Sequence, residues 1–362
     1  MKLTRAKRFI CALLAGALCL SLLAGCGTPK KQKELTRYST VFYDVFDTVT
    51  QVIAYCESEE DFTTQMSALH ADLVSYNQLF DIYNDYPGVT NIKTINDKAG
   101  IEPVKVRSEI IGLLKEAKRL YAETGGRVNI AMGSVLRVWH DYREAGLADP
   151  ELAELPSYDR LQEAGRHTDL DKVIIDEQTG TVYIEDALLR LDVGAIAKGY
   201  ACQLVKQELT EAGFESFVIS AGGNVCTAGE PAEEGQTAWL VGIQNPDTQA
   251  AAEIVDTLEV RDKSVVTAGG YQRYYTVNGE RYHHIIDKDT YMPANYYESV
   301  TVIGDDSGVA DFLSTTLFLM PLDEGKALAK EMNVDAMWIF RDGSFDNTDG
   351  YRQYSAYYMA SN

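Results

Sequence analysis

The chain has 362 residues, of which 46% are hydrophobic and 24% are charged, and its net charge is −21. This composition is typical of a globular protein, and the length allows a sizeable core in one large domain or two. Because 54 acidic residues outnumber 33 basic ones, a general nucleic-acid-binding surface is disfavoured, and no nucleic acid is expected as a partner.

The N-terminus has the pattern of a secretion signal with a lipid attachment site. Basic residues precede an apolar run over 9–23, which is short for a membrane span. The run ends in Leu-Leu-Ala-Gly-Cys26, which resembles the lipobox of bacterial lipoproteins. We therefore predict a signal peptide over 1–25 and a tether over 26–37 that begins at a lipidated Cys26. The protein would then lie on the extracytoplasmic face of the cell membrane. A plain secretory signal with an incidental cysteine is the alternative.

Three cysteines lie beyond the predicted lipidation site: Cys56, Cys202 and Cys226. They show no C-x-x-C spacing, and their odd number excludes a full disulfide framework. Buried free thiols are expected, and one disulfide stays open as an alternative because the predicted compartment is oxidising.

Hydrophobic periodicity predicts both strands and helices in the first half of the chain. Alternation over 37–55 predicts a long strand or a hairpin, and apolar residues at helical spacing over 59–80 predict a helix. Another helix is expected to be capped by Ser108 and to end at a pair of glycines that begins at Gly125. The polar stretch over 141–163 contains two prolines and is typical of a surface insertion.

The second half of the chain shows the same mixture. Strands are predicted on both sides of Thr179-Gly180, over 216–225, around Trp239, over 282–287 and over 299–304. Hairpins are predicted at the turn Asn278-Gly279 and from Ala336 onward. Helices are predicted over 310–319 and 325–332. Helices and strands do not alternate strictly, so the class is α+β (mixed α/β). We expect a single large catalytic domain over 38–362, with mixed, mostly antiparallel sheets flanked by helices.

The segment from Leu191 to Ala201 joins a short apolar strand to an amphipathic helix. It reads Leu-Asp-Val-Gly-Ala-Ile-Ala-Lys-Gly-Tyr-Ala, and its small residues let a ligand approach the backbone closely. The free N–H groups and the dipole at a helix N-terminus attract anions. Asp192 and Lys198 flank the turn with opposite charges. The alternative is a packed junction without a ligand, because short glycine-rich signals are weak.

Two further segments carry residues suited to chemistry. On a strand, alternation in His283-His284-Ile-Ile-Asp287 directs one histidine to a site and its neighbour away, and histidine is suited to general base catalysis. On a helix, Asp311 and Thr315 lie one turn apart on the same face, where their oxygens could ligate a hard cation such as Mg²⁺. The alternatives are strand histidines bonded to the backbone and an acidic helix start that favours the dipole.

Together these segments resemble the ApbE family, the FAD:protein FMN transferases. The resemblance spans about 42–340, and Leu191–Ala201 resembles the family motif L-D-L-G-G-I-A-K-G-Y-A. The other matching segments occur in family order: Phe46-Asp-Thr, Thr124-Gly-Gly, 133–139, Ala221-Gly-Gly-Asn, 242–246, 267–274, His284-Ile-Ile-Asp and Asp311–Thr315. No P-loop, G-x-G-x-x-G, H-E-x-x-H or G-x-S-x-G motif occurs, which argues against common ATPases, dinucleotide dehydrogenases, zinc proteases and α/β-hydrolases.

The resemblance implies a Mg²⁺-dependent enzyme that transfers the FMN moiety of FAD to a Thr or Ser hydroxyl of a partner protein and releases AMP. It implies Mg²⁺ bound by the backbone carbonyl of Ala195 with Asp311 and Thr315. It also makes His284 the base, oriented by Asp287. The residues implied to contact FAD are Phe46, Tyr83, Asn129, Ile130, Ala131, Asp192, Lys198 and Ile286.

The chain departs from the family pattern at several positions that are neither implied metal ligands nor His284. Asn129 and Ala131 stand where the family has Asp and Thr, Ala268 and Gly270 replace Ser and Asp, and Tyr291 replaces a turn glycine. Two alternative functions stay open: an FAD-hydrolysing lipoprotein that releases FMN and AMP, and an FAD-binding lipoprotein without acceptor transfer. The chain has no D-x-x-(S/T)-G-A-T acceptor motif, so the acceptor is expected on another protein.

Overall fold

The computed structural model describes residues 34–359, and the described chain from Thr36 onward forms one compact unit. The predicted signal peptide, Cys26 and most of the tether lie outside the described residues. Within 34–359, no helix combines the length and the apolar character needed to cross a membrane.

The strands are β1 (Thr36–Val45), β2 (Thr48–Cys56), β3 (Val104–Lys105), β4 (Val173–Asp176), β5 (Thr181–Ile184), β6 (Phe217–Ala221), β7 (Asn224–Ala228), β8 (Trp239–Gln244), β9 (Ile254–Val260), β10 (Ser264–Gly269), β11 (Tyr274–Val277), β12 (Glu280–His283), β13 (Ser299–Gly304), β14 (Asp335–Ile339) and β15 (Phe345–Asn347). The α-helices of the described part are α1 (Glu59–Phe80), α2 (Ile92–Asp97), α3 (Ser108–Glu123), α4 (Gly133–Ala148), α5 (Tyr158–Gly165), α6 (Ala197–Glu211), α7 (Ser307–Phe318), α8 (Leu322–Glu331) and α9 (Ala356–Met359).

An eight-stranded sheet with the order β1-β2-β6-β7-β10-β13-β14-β15 forms the centre of the fold. Each neighbouring pair in it is antiparallel. The smaller sheets β3-β5-β4, β8-β9 and β11-β12 are antiparallel as well. The predicted α+β class with antiparallel sheets and flanking helices is therefore confirmed.

Helix α7, which carries Asp311, is almost completely buried. All but two of its residues are buried, and it packs against α6, β10 and β13. Phe312 and Leu317 are fully enclosed in the core, and burying such a side chain contributes roughly 1.5–3 kcal/mol. The helix that carries Asp311 is therefore held rigidly against the sheet and against the N-terminal half of α6.

Several elements match the sequence prediction closely. β1 and β2 form a hairpin, one of the two predicted alternatives for 37–55, and α1 begins after Ser58, whose side chain accepts from the Asp61 N–H. The Asn278-Gly279 turn joins β11 to β12. Cys56, Cys202 and Cys226 are buried free thiols, as expected.

Two details of the prediction were wrong, and a third segment gained secondary structure that was not specified. Ser108 is the first helical residue of α3 rather than its cap, and the cap position, Arg107, makes no side-chain capping bond. The stretch over 141–163 lies mostly at the surface, as a surface insertion would, and is largely helical, because α4 continues to Ala148 and α5 follows. The strand expected over 282–287 ends at His283.

Candidate functional site

A buried asparagine that the sequence analysis did not single out holds the start of the Leu191–Ala201 turn. Asn96, on α2, donates its side-chain Nδ2 to the Leu191 carbonyl oxygen at 2.9 Å and accepts from the Leu191 N–H at 2.7 Å. Both residues are buried. The side chain takes the place of a strand neighbour and satisfies both backbone groups of Leu191. The turn therefore begins from a fixed point in the core.

Asp192 closes the turn and ties it to the segment that precedes α4. Its Oδ1 accepts from the Gly194 N–H at 2.9 Å, and its own N–H donates to the Ile130 carbonyl oxygen at 2.8 Å. Beside Ile130, the Asn129 side chain accepts from the Ala131 N–H at 2.8 Å. Four residues implied to contact FAD are thus joined by two hydrogen bonds.

The first turn of α6 packs directly on α7 at Gly199. The Gly199 N–H donates to Oδ2 of Asp311 at 2.8 Å. A Cβ atom at position 199 would lie 2.5 Å from Cβ of Asp311 and would overlap the Ser307 carbonyl oxygen, so only glycine permits this approach. Next to it, the Lys198 ammonium donates to the Gly222 carbonyl oxygen at 2.8 Å. Three distant segments of the chain therefore meet at this turn.

The two carboxyl groups at the turn are poorly solvated. Burial raises the pKa of Asp311, while the charge of Lys198 and the Gly199 N–H act against the shift. Burial also raises the pKa of Asp192, which the Gly194 N–H opposes. A carboxylate in such a setting gains from a nearby cation, because opposite charge favours its ionised form.

The predicted metal ligands suit a hard cation in their chemistry. Asp311 is buried and reaches the turn that contains Ala195, and Thr315 follows Asp311 by one turn of α7. A carboxylate, a hydroxyl and a carbonyl supply only oxygen, the donor that Mg²⁺ prefers. Within 34–359, no group of three or more His, Cys, Asp or Glu side chains is arranged to hold a metal ion. A cation at this place would therefore depend on backbone, hydroxyl and ligand oxygens.

The two adjacent histidines face apart, and both bond to backbone carbonyl groups. His283 is buried and donates from Nε2 to the Ala294 carbonyl oxygen at 2.8 Å. His284 is exposed, and its Nδ1 lies 3.2 Å from the Arg273 carbonyl oxygen. Because a carbonyl only accepts, Nδ1 carries the proton and Nε2 keeps its lone pair.

Desolvation by the surrounding protein, together with the charge of Arg273, lowers the pKa of His284 well below its usual range. The ring also touches solvent, which moderates the size of this shift but not its direction. His284 is therefore neutral at pH 7, with Nε2 available to accept a proton.

Asp287 bonds within its own turn. Its Oδ1 accepts from the N–H groups of Asp289 and Thr290, both at 2.9 Å. In this structure the Arg273 carbonyl, rather than Asp287, is the partner of the His284 ring. The orienting role of Asp287 stays a prediction.

Tyr83 stacks on His140, a residue of α4 that the sequence analysis did not identify. The ring centroids are 4.6 Å apart at an interplanar angle of 25°, and the tyrosine hydroxyl lies 3.4 Å from Nδ1 of His140. The Arg137 guanidinium lies 5.7 Å from the centroid of the Tyr83 ring. A partly exposed pair of flat rings offers a stacking surface for a planar ligand such as a flavin.

Phe46 occupies the turn between β1 and β2. Its φ angle is 54°, in the left-handed region, and its N–H donates to Oδ1 of Asn77 at 2.9 Å. Left-handed backbone costs a non-glycine residue roughly 1–2 kcal/mol, so the contact with α1 helps to hold this turn. The backbone of Phe46 is thereby held by α1 as well as by the hairpin.

Ile286 and Gly270 are used in packing. Ile286 is buried in a small second core with Trp139 and Tyr275. A Cβ atom at Gly270 would lie 2.6 Å from the His283 ring, so the Asp found in the family pattern has no room here. The departure at 270 thus follows from the way His283 is buried.

The Leu191–Ala201 turn, the Tyr83–His140 pair and His284 share the same charged neighbours. The charges of Asp192 and Arg273 both act on the pKa of Tyr83, and Arg273 also acts on Asp192 and His284. The turn, the aromatic pair and His284 therefore lie close enough to one another to sense the same charges. The arrangement combines an anion-attracting helix start, a buried acid, a flat stacking surface and a neutral histidine.

A helix start that attracts anions, together with a flat stacking surface, suits a ligand that combines phosphate groups with a planar ring. A family model described as the ApbE family matches residues 46–338. The chain therefore belongs to the ApbE family.

Similar proteins carry names that state an activity. Relatives from Klebsiella pneumoniae and Treponema pallidum, both named FAD:protein FMN transferase, are 32% and 33% identical to the chain. The first match covers 73% of this chain and 81% of the relative, and the second covers 69% and 71%. The crystal structure of the ApbE protein from Thermotoga maritima is 26% identical, with a TM-score of 0.76, and the match covers 88% of this chain and 99% of that one.

Proposed function

We propose that this protein transfers the FMN moiety of FAD to a Thr or Ser hydroxyl of a partner protein, which yields a phosphoester-linked flavoprotein and AMP. Membership of the ApbE family and the names of the relatives support the reaction. The observation that carries the proposal is the bond from the Gly199 N–H to Asp311. It joins the anion-attracting start of α6 to a buried acid, which could hold a cation between itself and a pyrophosphate.

The pyrophosphate of FAD would bind at the start of α6, near Lys198. Ala195, Asp311 and Thr315 would hold Mg²⁺ there. The ion would offset the negative charge on the phosphate oxygens when bound. The ring of Tyr83, supported by His140, would stack on the flavin.

In the reaction, the acceptor hydroxyl oxygen attacks the FMN-side phosphorus of FAD, and the bond from this phosphorus to the bridging oxygen breaks. The bridging oxygen leaves with AMP. His284 would take the hydroxyl proton at Nε2, the nitrogen that its bond to Arg273 leaves free. The neutral ring that its lowered pKa implies is the form required of a base.

The protein would work on the extracytoplasmic face of the cell membrane, anchored by lipid on Cys26. The lipobox-like sequence that ends at Cys26 supports this placement. In bacterial cells, a Cys26→Ser variant of the full chain should leave the membrane fraction, while a Cys56→Ser variant should stay in it. Retention of Cys26→Ser in the membrane would contradict lipid anchoring at this residue.

The function is tested with the full-length protein in detergent, FAD, Mg²⁺ and an acceptor protein with an exposed Thr flavinylation motif. The mass of the acceptor should rise by FMN less water. Free FMN with an unchanged acceptor would indicate hydrolysis, and unchanged FAD would indicate a binding protein.

The metal assignment is tested by Asp311→Asn, which should abolish the transfer because it removes the only acidic side chain of the proposed ligand set. Asp305→Asn is the matched control. Asp305 is exposed and pairs with Lys263 at 2.5 Å, so its loss should leave the transfer unchanged. Equal transfer by the Asp311 variant would refute the metal assignment.

A further inference from the structure

Asn224, the first residue of β7, has a fully buried side-chain amide without a hydrogen-bond partner. The residue is 1% exposed, and neither Oδ1 nor Nδ2 finds a partner in the described structure. Within 34–359 it is the only side chain with two buried, unpaired polar atoms. An unpaired buried polar group costs roughly 1–3 kcal/mol. Because an apolar residue of the same shape would avoid this loss of stability, we infer that the amide of Asn224 has a functional role.

Asn224 belongs to β7, which packs against both α6 and α7. Asn224 follows Gly222 and Gly223, whose φ angles are 49° and 90°. The Gly222 carbonyl oxygen accepts from the Lys198 ammonium. The Asn224 amide is within reach of the Asp311 carboxyl group and favours its charged form, which lowers the pKa of that group, but the two side chains do not meet the geometry of a formed hydrogen bond. A donor-bearing amide therefore stands beside Asp311, yet the carboxylate is turned to the Gly199 N–H through Oδ2.

We propose that Asn224 is a positioning residue for Asp311, whose carboxylate it holds through its Nδ2–H group when the carboxylate faces a cation. The inference rests on the proposed function, which places a cation beside Asp311. A neutral amide suits the task, since it donates a hydrogen bond without competing as a charge. Ligating carboxylates are commonly held in this way by a neighbouring hydrogen bond, and loss of that neighbour typically costs 10–100-fold in metal affinity.

The proposal predicts effects of opposite sign on stability and on binding. Asn224→Leu keeps the branched shape but removes both unpaired polar atoms. In EDTA, its Tm should therefore equal or exceed that of the wild type. With FAD present, the Mg²⁺ concentration that gives half of the maximal Tm increase should rise about 10-fold or more. A merely structural asparagine would give a lower Tm in EDTA and an unchanged Mg²⁺ requirement.

Two further variants make the test robust. Asn224→Ala leaves a small cavity and cannot clash, so it covers the case in which leucine does not fit. It should show the same loss of Mg²⁺ affinity. Ser299→Ala is the matched control, because its Oγ is also buried and unpaired but lies on β13, two strands from β7. This control should keep the Mg²⁺ requirement of the wild type.

The outcomes separate the inference from the proposed function. If the wild type shows Mg²⁺-dependent stabilisation and both Asn224 variants match its Mg²⁺ requirement, the inference is refuted while the metal site stands. If the wild type shows no Mg²⁺-dependent stabilisation in the presence of FAD, the metal site and the positioning role both fall.

Discussion

Replacing Gly199 by alanine is expected to move Asp311 away from the turn. In the interior of a helix, this substitution ordinarily stabilises a protein by about 1 kcal/mol, because glycine is a poor helix former. Here the new Cβ would lie 2.5 Å from Cβ of Asp311 and would overlap the Ser307 carbonyl oxygen. The Cβ of Asp311 and the carbonyl oxygen of Ser307 both belong to the packed helix α7, so neither can move away as the end of a flexible side chain could.

The size of the effect follows from these contacts. Ordinary van der Waals contact begins near 3.4 Å, so α6 and α7 must separate by about 1 Å at this point. Overpacking of this kind costs about 1–3 kcal/mol, which should reverse the usual gain from alanine. A displacement of about 1 Å at a reacting centre lowers the rate by about 100-fold. The bond from the Gly199 N–H to Asp311, 2.8 Å long, should weaken at the same time.

The assay combines the mass of the acceptor protein, followed over time, with urea unfolding of each variant. Gly325→Ala on α8 is the matched control, because its Cβ would meet the Trp338 ring at 3.2 Å, far less closely, and it lies outside the candidate site. The control should keep the transfer rate. Wild-type stability and transfer in Gly199→Ala would refute the argument that the close approach of α6 and α7 sets the position of Asp311.

Two further predictions concern stability. Asn96→Ala should lower the free energy of unfolding by about 2–4 kcal/mol in urea titrations, because it leaves the buried N–H and C=O of Leu191 unpaired; wild-type stability would contradict this. Burial lowers the pKa of His283 from 6.5 to about 4, so the unfolded chain binds a proton at a higher pH than the folded chain. This contribution to stability is complete above pH 6.5 and is lost as the pH falls towards 4, by up to about 3 kcal/mol. The wild type should therefore lose more stability than His283→Gln between pH 7 and 4.5, and parallel losses would contradict this.

Much of the fold follows from local pattern. Alternating residues predicted strand over 37–55, and the Asn278-Gly279 turn predicted the β11–β12 hairpin, because strand faces and turn conformations depend on nearby residues. The end of β12 at His283 and the helical course of 141–163 could not be predicted in the same way. Those elements depend on a second small core that includes Trp139 and Ile286, and its members are distant in the chain.

Some residues of the candidate site could be predicted from local sequence, and others could not. Residue types and spacing singled out the pair His283-His284 together with Asp311 and Thr315, and the resemblance to the ApbE family chose His284 from the pair. Asn96 and His140 carried no such signal, because an asparagine on a short helix or a histidine on an amphipathic one is ordinary. Their importance arises only from Leu191 and Tyr83, the residues they meet in the folded protein.

The sequence by itself therefore determined the α+β class, the series of segments that resemble the ApbE family, and the candidate base and acid. Only the tertiary structure decided which groups meet. Gly199 and Asp311 are 112 positions apart, and Asn96 and Leu191 are 95 apart. The physical reason is that hydrogen bonds and close packing act over a few ångströms in space, whereas periodicity reports only on neighbours along the chain.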